Sequence, residues 1–273
     1  MNTLGPLPTA KSLIQNLLLA ADDRAYAARQ LVAACALFKL TENNVRVALV
    51  RLQSEGWVIA EGRGHYRLGP ASQDLAHEVA SWRQLESRIR EWDGHYIAVH
   101  CAGLGRSDRA ALNRRQQALS LHGFAELDRG LFIRPDNLAG GMADIRTRLH
   151  RLGLEDSALV FRADQFDAIG TARVRALWNS QGLNQTYRDL TRTLDGWLAS
   201  MSTLPPDRAA REAYLLGRPA IRQVVFDPLL PEGMVDIEAR RACFEAVRRF
   251  DSSGRAIWWR FFQFSASPPS AGD

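Results

Sequence analysis

The sequence predicts an α+β protein in three parts, and three observations carry that prediction. Apolar residues recur at helical spacing through the first 55 positions and then give way to a short alternating stretch around Gly62-Arg63-Gly64. Between residues 91 and 167, β-prone runs alternate with amphipathic ones. From residue 168 onward the spacing is almost wholly helical. The expected divisions are residues 1–70, a linker helix over 71–90, a middle domain over 91–167 and a C-terminal domain over 168–273.

The N-terminal elements follow in order. AKSLIQNLLLA places Leu13, Leu17 and Ala20 on one helical face. RQLVAACALFKL does the same with Leu31, Ala34, Cys35 and Phe38. In TENNVRVALVRLQSEGW, Thr41 is an N-cap, Val45, Ala48, Leu49 and Leu52 form the apolar stripe, and Gly56 ends the helix. WVIAEGRGHYRL then reads as a hairpin with a glycine-rich turn. Three helices and a hairpin in this compass predict a winged helix-turn-helix, whose third helix enters the DNA major groove. Its outward positions are Asn43, Asn44, Arg46, Val47, Val50 and Arg51. Asparagine can read adenine through two hydrogen bonds, and arginine can read guanine or hold phosphate. Arg63, at the tip of the wing, is placed to reach a phosphate or the minor groove. The plain alternative is a helical domain with a solvated polar face, and winged helices also serve as protein-interaction modules.

Residues 74–90 predict a linker helix with Leu75, Val79, Trp82, Leu85 and Ile89 as its stripe. HYIAVHCAG is a strand, RSDRAALNRRQQALSLHG a helix with Arg109, Arg114 and Arg115 outward, and FAELDRGLFIRP a hairpin. LAGGMADIRTRLHRLG is a helix and SALVFRADQF a last strand. The order β-α-β-β-α-β predicts a ferredoxin-like middle domain. That fold hosts nucleases as well as binding modules, so a nucleic-acid-processing enzyme is the competing reading. A metal nuclease of this shape wants a carboxylate at the end of its first strand, where this chain has His100-Cys101-Ala102. His100 and His122 read as ordinary packed or surface imidazoles.

In the C-terminal part, Val174, Leu177, Trp178, Leu183, Tyr187, Leu190, Leu194 and Leu198 recur at helical intervals, with Gly182 as a candidate break. DRAAREAYLLGRPAIRQVVF predicts a helix kinked or broken at Pro219. DPLLPEG is a proline-stiffened loop, IEARRACFEAVRRF a last helix, and residues 265–273 a disordered tail. The aromatics Trp178, Tyr187, Trp197, Trp258 and Trp259 read first as core and second as the wall of an effector pocket.

Composition narrows the function classes. The chain carries 35 basic residues, all but Lys11 and Lys39 arginine, for a net charge of +5. Residues 1–70 and 168–273 each carry +3, whereas residues 91–167 carry −1. This permits nucleic-acid binding at the ends without demanding it. Cys35, Cys101 and Cys243 are too far apart for a zinc site and read as reduced, buried thiols. HExxH, GxSxG, the Walker loop and GxGxxG do not occur, so neither catalytic residues nor cofactors are expected. No run of about 18 apolar residues and no secretory signal are found, so no membrane association and a cytoplasmic location are expected.

With these pieces in order, the chain resembles the PaaX family of bacterial transcriptional repressors over roughly residues 8–260. The resemblance rests on VRVALVRLQSEGWV, WDGHY, HGFAELDRGLFIRP, LW followed by GLNQTYRDL, and FDPLLPEG. It implies a homodimeric repressor, not an enzyme, that binds a double-stranded DNA operator and is released by a small-molecule effector. The family's best-known effector is phenylacetyl-CoA, which points to a CoA thioester and to control of phenylacetate or another aromatic or acyl-CoA catabolic pathway. Carried onto this sequence, the DNA-reading positions are Thr41, Asn43, Asn44, Arg46, Arg51 and Arg63. A CoA thioester needs an apolar wall for its acyl end and arginines for its phosphates. Trp178, Tyr187 and Arg188, with Arg218 and Arg222 before the DPLLP loop, supply both. Two departures fall in this half: MVDIEARR follows the loop where the family continues otherwise, and Arg218 stands where a histidine is expected.

Overall fold

A computed structural model describes residues 7–21, 24–105 and 107–266 of the chain. The expected tail lies almost wholly outside the described residues. The protein is α+β, with two small antiparallel sheets, and divides into two compact units.

The first unit comprises residues up to Ser81, Arg192–Ile221 and residues from Ala246 onward. Its opening helix α1, Ala10–Leu19, is capped by Thr9, whose hydroxyl accepts from the Ser12 amide. Strand β1, Tyr26–Ala27, leads directly into α2, Ala28–Ala36. Helix α3, Glu42–Ser54, is followed by β2, Val58–Ala60, and β3, His65–Leu68. The sheet order is β1-β3-β2, with Ile59 opposite Arg67 and Tyr26 opposite Tyr66. The β2–β3 turn holds Gly62 and Gly64 at φ +66° and +73°, a region that side chains with a Cβ rarely enter.

The core of this unit joins the N-terminal helices to residues more than 140 positions away. Leu13, Ile14, Leu18, Leu31, Cys35, Leu49 and Leu52 pack in one cluster with Ala210, Tyr214, Leu215, Phe261 and Phe262. Tyr214 packs edge-on to Phe38 at 5.1 Å, and its hydroxyl accepts from the Asn16 amide at 2.9 Å. Phe262 meets Tyr26 at 4.9 Å between ring centres. Two aromatic residues thus cover apolar surface that the head would otherwise leave in water.

Helix α4, Gln73–Ala80, is shorter than the linker helix expected over residues 74–90. Two 3-10 turns, Ser81–Gln84 and Glu86–Arg88, replace its second half. The Ser81 hydroxyl donates back to the Glu78 carbonyl, Ser87 does the same to Gln84, and Trp82 turns inward. Such local bonds compete with helix continuation.

The second unit comprises Trp82–Thr191 and Arg222–Glu245. Its elements are β4 (Tyr96–His100), α5 (Arg109–Leu121), β5 (Ala125–Asp128), β6 (Leu131–Pro135), α6 (Gly141–Arg151) and β7 (Leu159–Ala163). The sheet order is β5-β6-β4-β7, every neighbouring pair antiparallel, with Ala98 opposite both Ile133 and Phe161. Arg115 does not face outward as expected. It is buried on α5, where it donates to the Gly105 carbonyl at 3.1 Å and stands 3.6 Å from a Glu155 oxygen. A buried guanidinium needs such partners to offset lost hydration.

Helix α7, Ala168–Arg175, precedes α8, Ser180–Ser200. The break falls before Gly182, because the Asn179 side chain accepts from the Gly182 amide and starts a new helix. Helix α9, Pro206–Val225, runs through Pro219. Helix α10, Ile237–Ala266, extends well past the segment that the sequence marked. Helices α8, α9 and α10 each contribute a stretch to both units.

Candidate functional site

Helix α3 is built by a reciprocal cap and a one-sided core. The Asn44 amide donates to the Thr41 hydroxyl at 3.2 Å, and the Thr41 amide donates to Asn44 Oδ1 at 2.9 Å. Val45, Ala48, Leu49 and Leu52 bury the opposite face, which fixes the helix and turns Asn43, Arg46, Val47, Val50 and Arg51 to solvent. Val47 and Val50 are 43% and 61% exposed, which puts methyl groups beside the polar side chains of this face.

The cap assigns two of the predicted residues a structural task. Thr41 and Asn44 satisfy each other, so Asn44 Oδ1 is engaged before any partner arrives. Asn43 is exposed one position earlier, and its side chain is of the type that can pair with adenine. Arg46 Nη2 meets Glu42 Oε1 at 3.1 Å, one turn back on the exposed face. An exposed pair of this kind is worth about 0.3–0.5 kcal/mol. It holds the guanidinium over the helix start and opens at little cost to a base or phosphate. Arg51 is exposed near the other end, and Arg63 is exposed between the two turn glycines. The sequence reading missed the Lys11–Glu55 pair at 2.7 Å, which ties α1 to the residue after α3.

The five predicted effector residues stand in separate surroundings. Trp178 packs against the cluster of Tyr96, Ile133 and Val174. Arg188 is exposed and pairs with Asp236 at 2.6 Å. Arg222 lies over the Phe226 ring at 4.6 Å. Arg218 is exposed on the stretch of α9 that belongs to the first unit. Tyr187 is fully buried, and its hydroxyl donates to Asp227 Oδ2 at 2.6 Å. Burial, reinforced by the Asp227 charge, holds this phenol well above its usual range. Its role is to support the loop after α9 rather than to line an open wall.

That loop, residues 227–231, is clamped from several directions. Asp227 Oδ1 accepts from the Leu229 amide at 2.8 Å, Asn137 donates to the Leu229 carbonyl at 2.7 Å, and Arg240 donates to the Leu230 carbonyl at 2.6 Å. Leu229 sits at φ +50°, a strained conformation that these bonds hold in place. Arg134, fully buried, donates to Asn137, to the Pro135 carbonyl and to the His122 carbonyl. Burial pushes Asp227 up to about 6 and His122 down to about 3, the latter helped by the Arg134 charge. The sequence offered the prolines of the loop but no sign of its distant clamps.

All three cysteines are buried and none is in a disulfide, and burial raises the Cys35 and Cys243 thiols to about 11 and about 12. Among the described residues no group of three or more His, Cys, Asp or Glu side chains is arranged to hold a metal, and no helix is long and apolar enough to cross a membrane.

Comparison with known proteins matches both ends of the chain. The family profile described as PaaX-like protein fits residues 9–71, and that of the PaaX-like protein C-terminal domain fits residues 178–260, together more than half of the chain. Transcriptional repressor PaaX of Escherichia coli (strain K12) is 29% identical over 229 residues, spanning 76% of this chain and 69% of that protein. The solved structure of the uncharacterized protein Rv0674 from Mycobacterium tuberculosis is similar at a TM-score of 0.57 and 21% identity, covering 95% of this chain and 99% of that one. The last likeness is one of fold. With both domains matched in order and an extended match to a curated relative, the chain belongs to the PaaX-like protein family.

Proposed function

We propose that this protein is a transcriptional repressor that binds double-stranded DNA through a winged helix-turn-helix formed by residues 1–70. The observation that carries the reading is the outward face of α3: Asn43, Arg46, Val47, Val50 and Arg51 stand exposed on a helix whose other side is anchored in the core. Such a helix can place two hydrogen-bonding side chains and two methyl-bearing ones along base edges, where arginine reads guanine and apolar groups contact the thymine methyl. Arg63 on the β2–β3 turn then serves as the wing contact. The name of the Escherichia coli relative supports repression as the outcome.

In this reading residues 91–167 form a ferredoxin-like middle domain, supported by the strand order β5-β6-β4-β7. Residues 168–273 form the effector and dimerisation part. The protein acts in the cytoplasm as a homodimer on an inverted repeat, without catalysing a reaction. A CoA thioester releases it, with Trp178, Arg188 and Arg222 of the second unit as the candidate contacts. Opening the Arg188–Asp236 pair would couple ligand to α8. A ligand acts by binding one state more tightly than the other, so release requires differential affinity.

The test places duplexes that the protein binds upstream of a reporter gene. Co-expression is expected to lower transcription, and the double variant Asn43→Ala/Arg46→Ala is expected to restore it. A panel of acyl- and aryl-acyl-CoA thioesters, beside the matching free acids, then tests release. Release by some thioester, weakened in Arg222→Ala, supports the effector assignment. Release by free acids alone removes the phosphate role of these arginines.

A further inference from the structure

The second unit holds an open cavity of about 300 Å³, whose lining includes none of the five residues discussed above, although Trp178 packs on the same aromatic cluster. Its walls come from Trp92, Tyr96, Gln165, Phe166, Thr171 and Arg175. Three of these are aromatic, with Tyr96 edge-on to the other two: to Trp92 at 5.2 Å and to Phe166 at 5.7 Å. The walls are fixed before any ligand arrives. Trp92 Nε1 donates to the His95 carbonyl at 2.6 Å, and the Thr171 hydroxyl donates to the Phe166 carbonyl at 3.3 Å. Gln165, at the rim, has φ +53°. A side-chain-bearing residue held in that region marks a strained loop, and such strain collects at ligand clamps.

Charges of both signs surround the cavity. Asp93 pairs with Arg162 at 3.2 Å, and the His95 ring stands 2.8 Å from Asp93 and 3.4 Å from Asp164, so it offsets these carboxylates only when protonated. Asp167 accepts from the Gly170 amide at 2.6 Å. On α7, Arg173 donates to the Leu127 carbonyl. Arg175 is exposed and, among the described residues, pairs with no carboxylate, while its charge is felt at Tyr96. The cavity therefore offers aromatic walls, hydrogen-bonding groups beside it and, in Arg175, one exposed guanidinium that pairs with no carboxylate among the described residues. Its size is at the small end of ligand pockets. It has room for one ring with a short acid.

We propose that this cavity binds a small aromatic carboxylate, its ring against Trp92, Tyr96 and Phe166 and its carboxylate on Arg175. The match is chemical: ring edges and faces favour another ring, and a guanidinium holds a carboxylate through paired, charge-assisted hydrogen bonds. The site does not rest on the DNA-binding reading, and its test needs no DNA.

The test is titration of the full chain with benzoate, benzyl alcohol and cyclohexanecarboxylate, followed by calorimetry and by indole NMR signals. Benzoate is expected to bind saturably at one site and more tightly than either comparison compound. Arg175→Met, at an exposed position, is expected to weaken benzoate on the order of tenfold and leave benzyl alcohol unchanged. Arg175→Lys should recover part of the loss. Absence of saturable benzoate binding, or equal affinity in wild type and Arg175→Met, overturns the proposal. So does binding of cyclohexanecarboxylate as tightly as benzoate, because the aromatic walls then select nothing.

Discussion

Asp227 shows how one buried carboxyl shapes the second unit. It receives hydrogen bonds from Tyr187 and the Leu229 amide, yet burial still pushes its pKa up to about 6. A raised carboxyl pKa means that the folded state binds the proton more tightly than the unfolded state. Stability contributed at this position is therefore greatest below about pH 4 and falls as pH rises to about 6. A shift of roughly two units corresponds to about 3 kcal/mol. His122 works in the opposite direction, since a base held down to about 3 costs stability as pH falls below its ordinary range. Comparing wild type with Asp227→Asn by urea unfolding cancels the His122 contribution. The variant should gain on wild type by about 3 kcal/mol between pH 4 and pH 7.5. A stability difference that does not vary with pH contradicts the account of this carboxyl. None of this was legible in the sequence, where Asp227 is one residue of a proline-rich loop. Its partners Tyr187 and Arg240 come from other helices, and no local pattern announces them.

At the scale of elements, α3 was the most legible part of the chain, because every signal for it is local. Thr41 precedes the apolar stripe, the stripe keeps helical spacing, and Gly56 follows. The interruptions were less legible. The break at residues 81–88 depends on serine hydroxyls that fold back on carbonyls, and the break before α8 depends on Asn179 acting as a cap. Both use residues that are unremarkable in a helical pattern. Under the proposed function the α3 cap also ties stability to reading. Thr41→Ala removes both hydroxyl contacts with Asn44 and is expected to cost about 1 kcal/mol in thermal or urea unfolding. Fraying of the first turn should also weaken DNA binding, since Asn43 lies within it. A Thr41→Ala variant as stable as wild type means that the cap contributes nothing in solution.

At the scale of the molecule, the head of the chain borrows its core from the other end. Tyr214, Phe261 and Phe262 pack with Leu13, Leu31 and Leu52, a pairing that sequence spacing cannot reveal because each helix pattern shows only that a face is apolar. Which face meets which is decided by long-range packing. Phe262→Ala, far in sequence from any proposed DNA-reading position, should therefore destabilise the protein by about 3 kcal/mol. It should also lower operator binding at temperatures where the wild type is fully folded. An unchanged unfolding midpoint means that the C-terminal aromatics merely touch the head.

The central claim, that the outward face of α3 reads DNA sequence, is tested most directly by selection from a random duplex pool. Titration of the enriched duplex then compares wild type, Asn43→Ala and Arg46→Ala across a range of salt. The account predicts an enriched inverted repeat with half-sites about 10 bp apart, or a multiple of that. It predicts a loss of about 1–3 kcal/mol for each substitution and an affinity that falls steeply with salt. A pool in which no sequence is enriched, or two variants that bind the selected duplex as tightly as wild type, would contradict it.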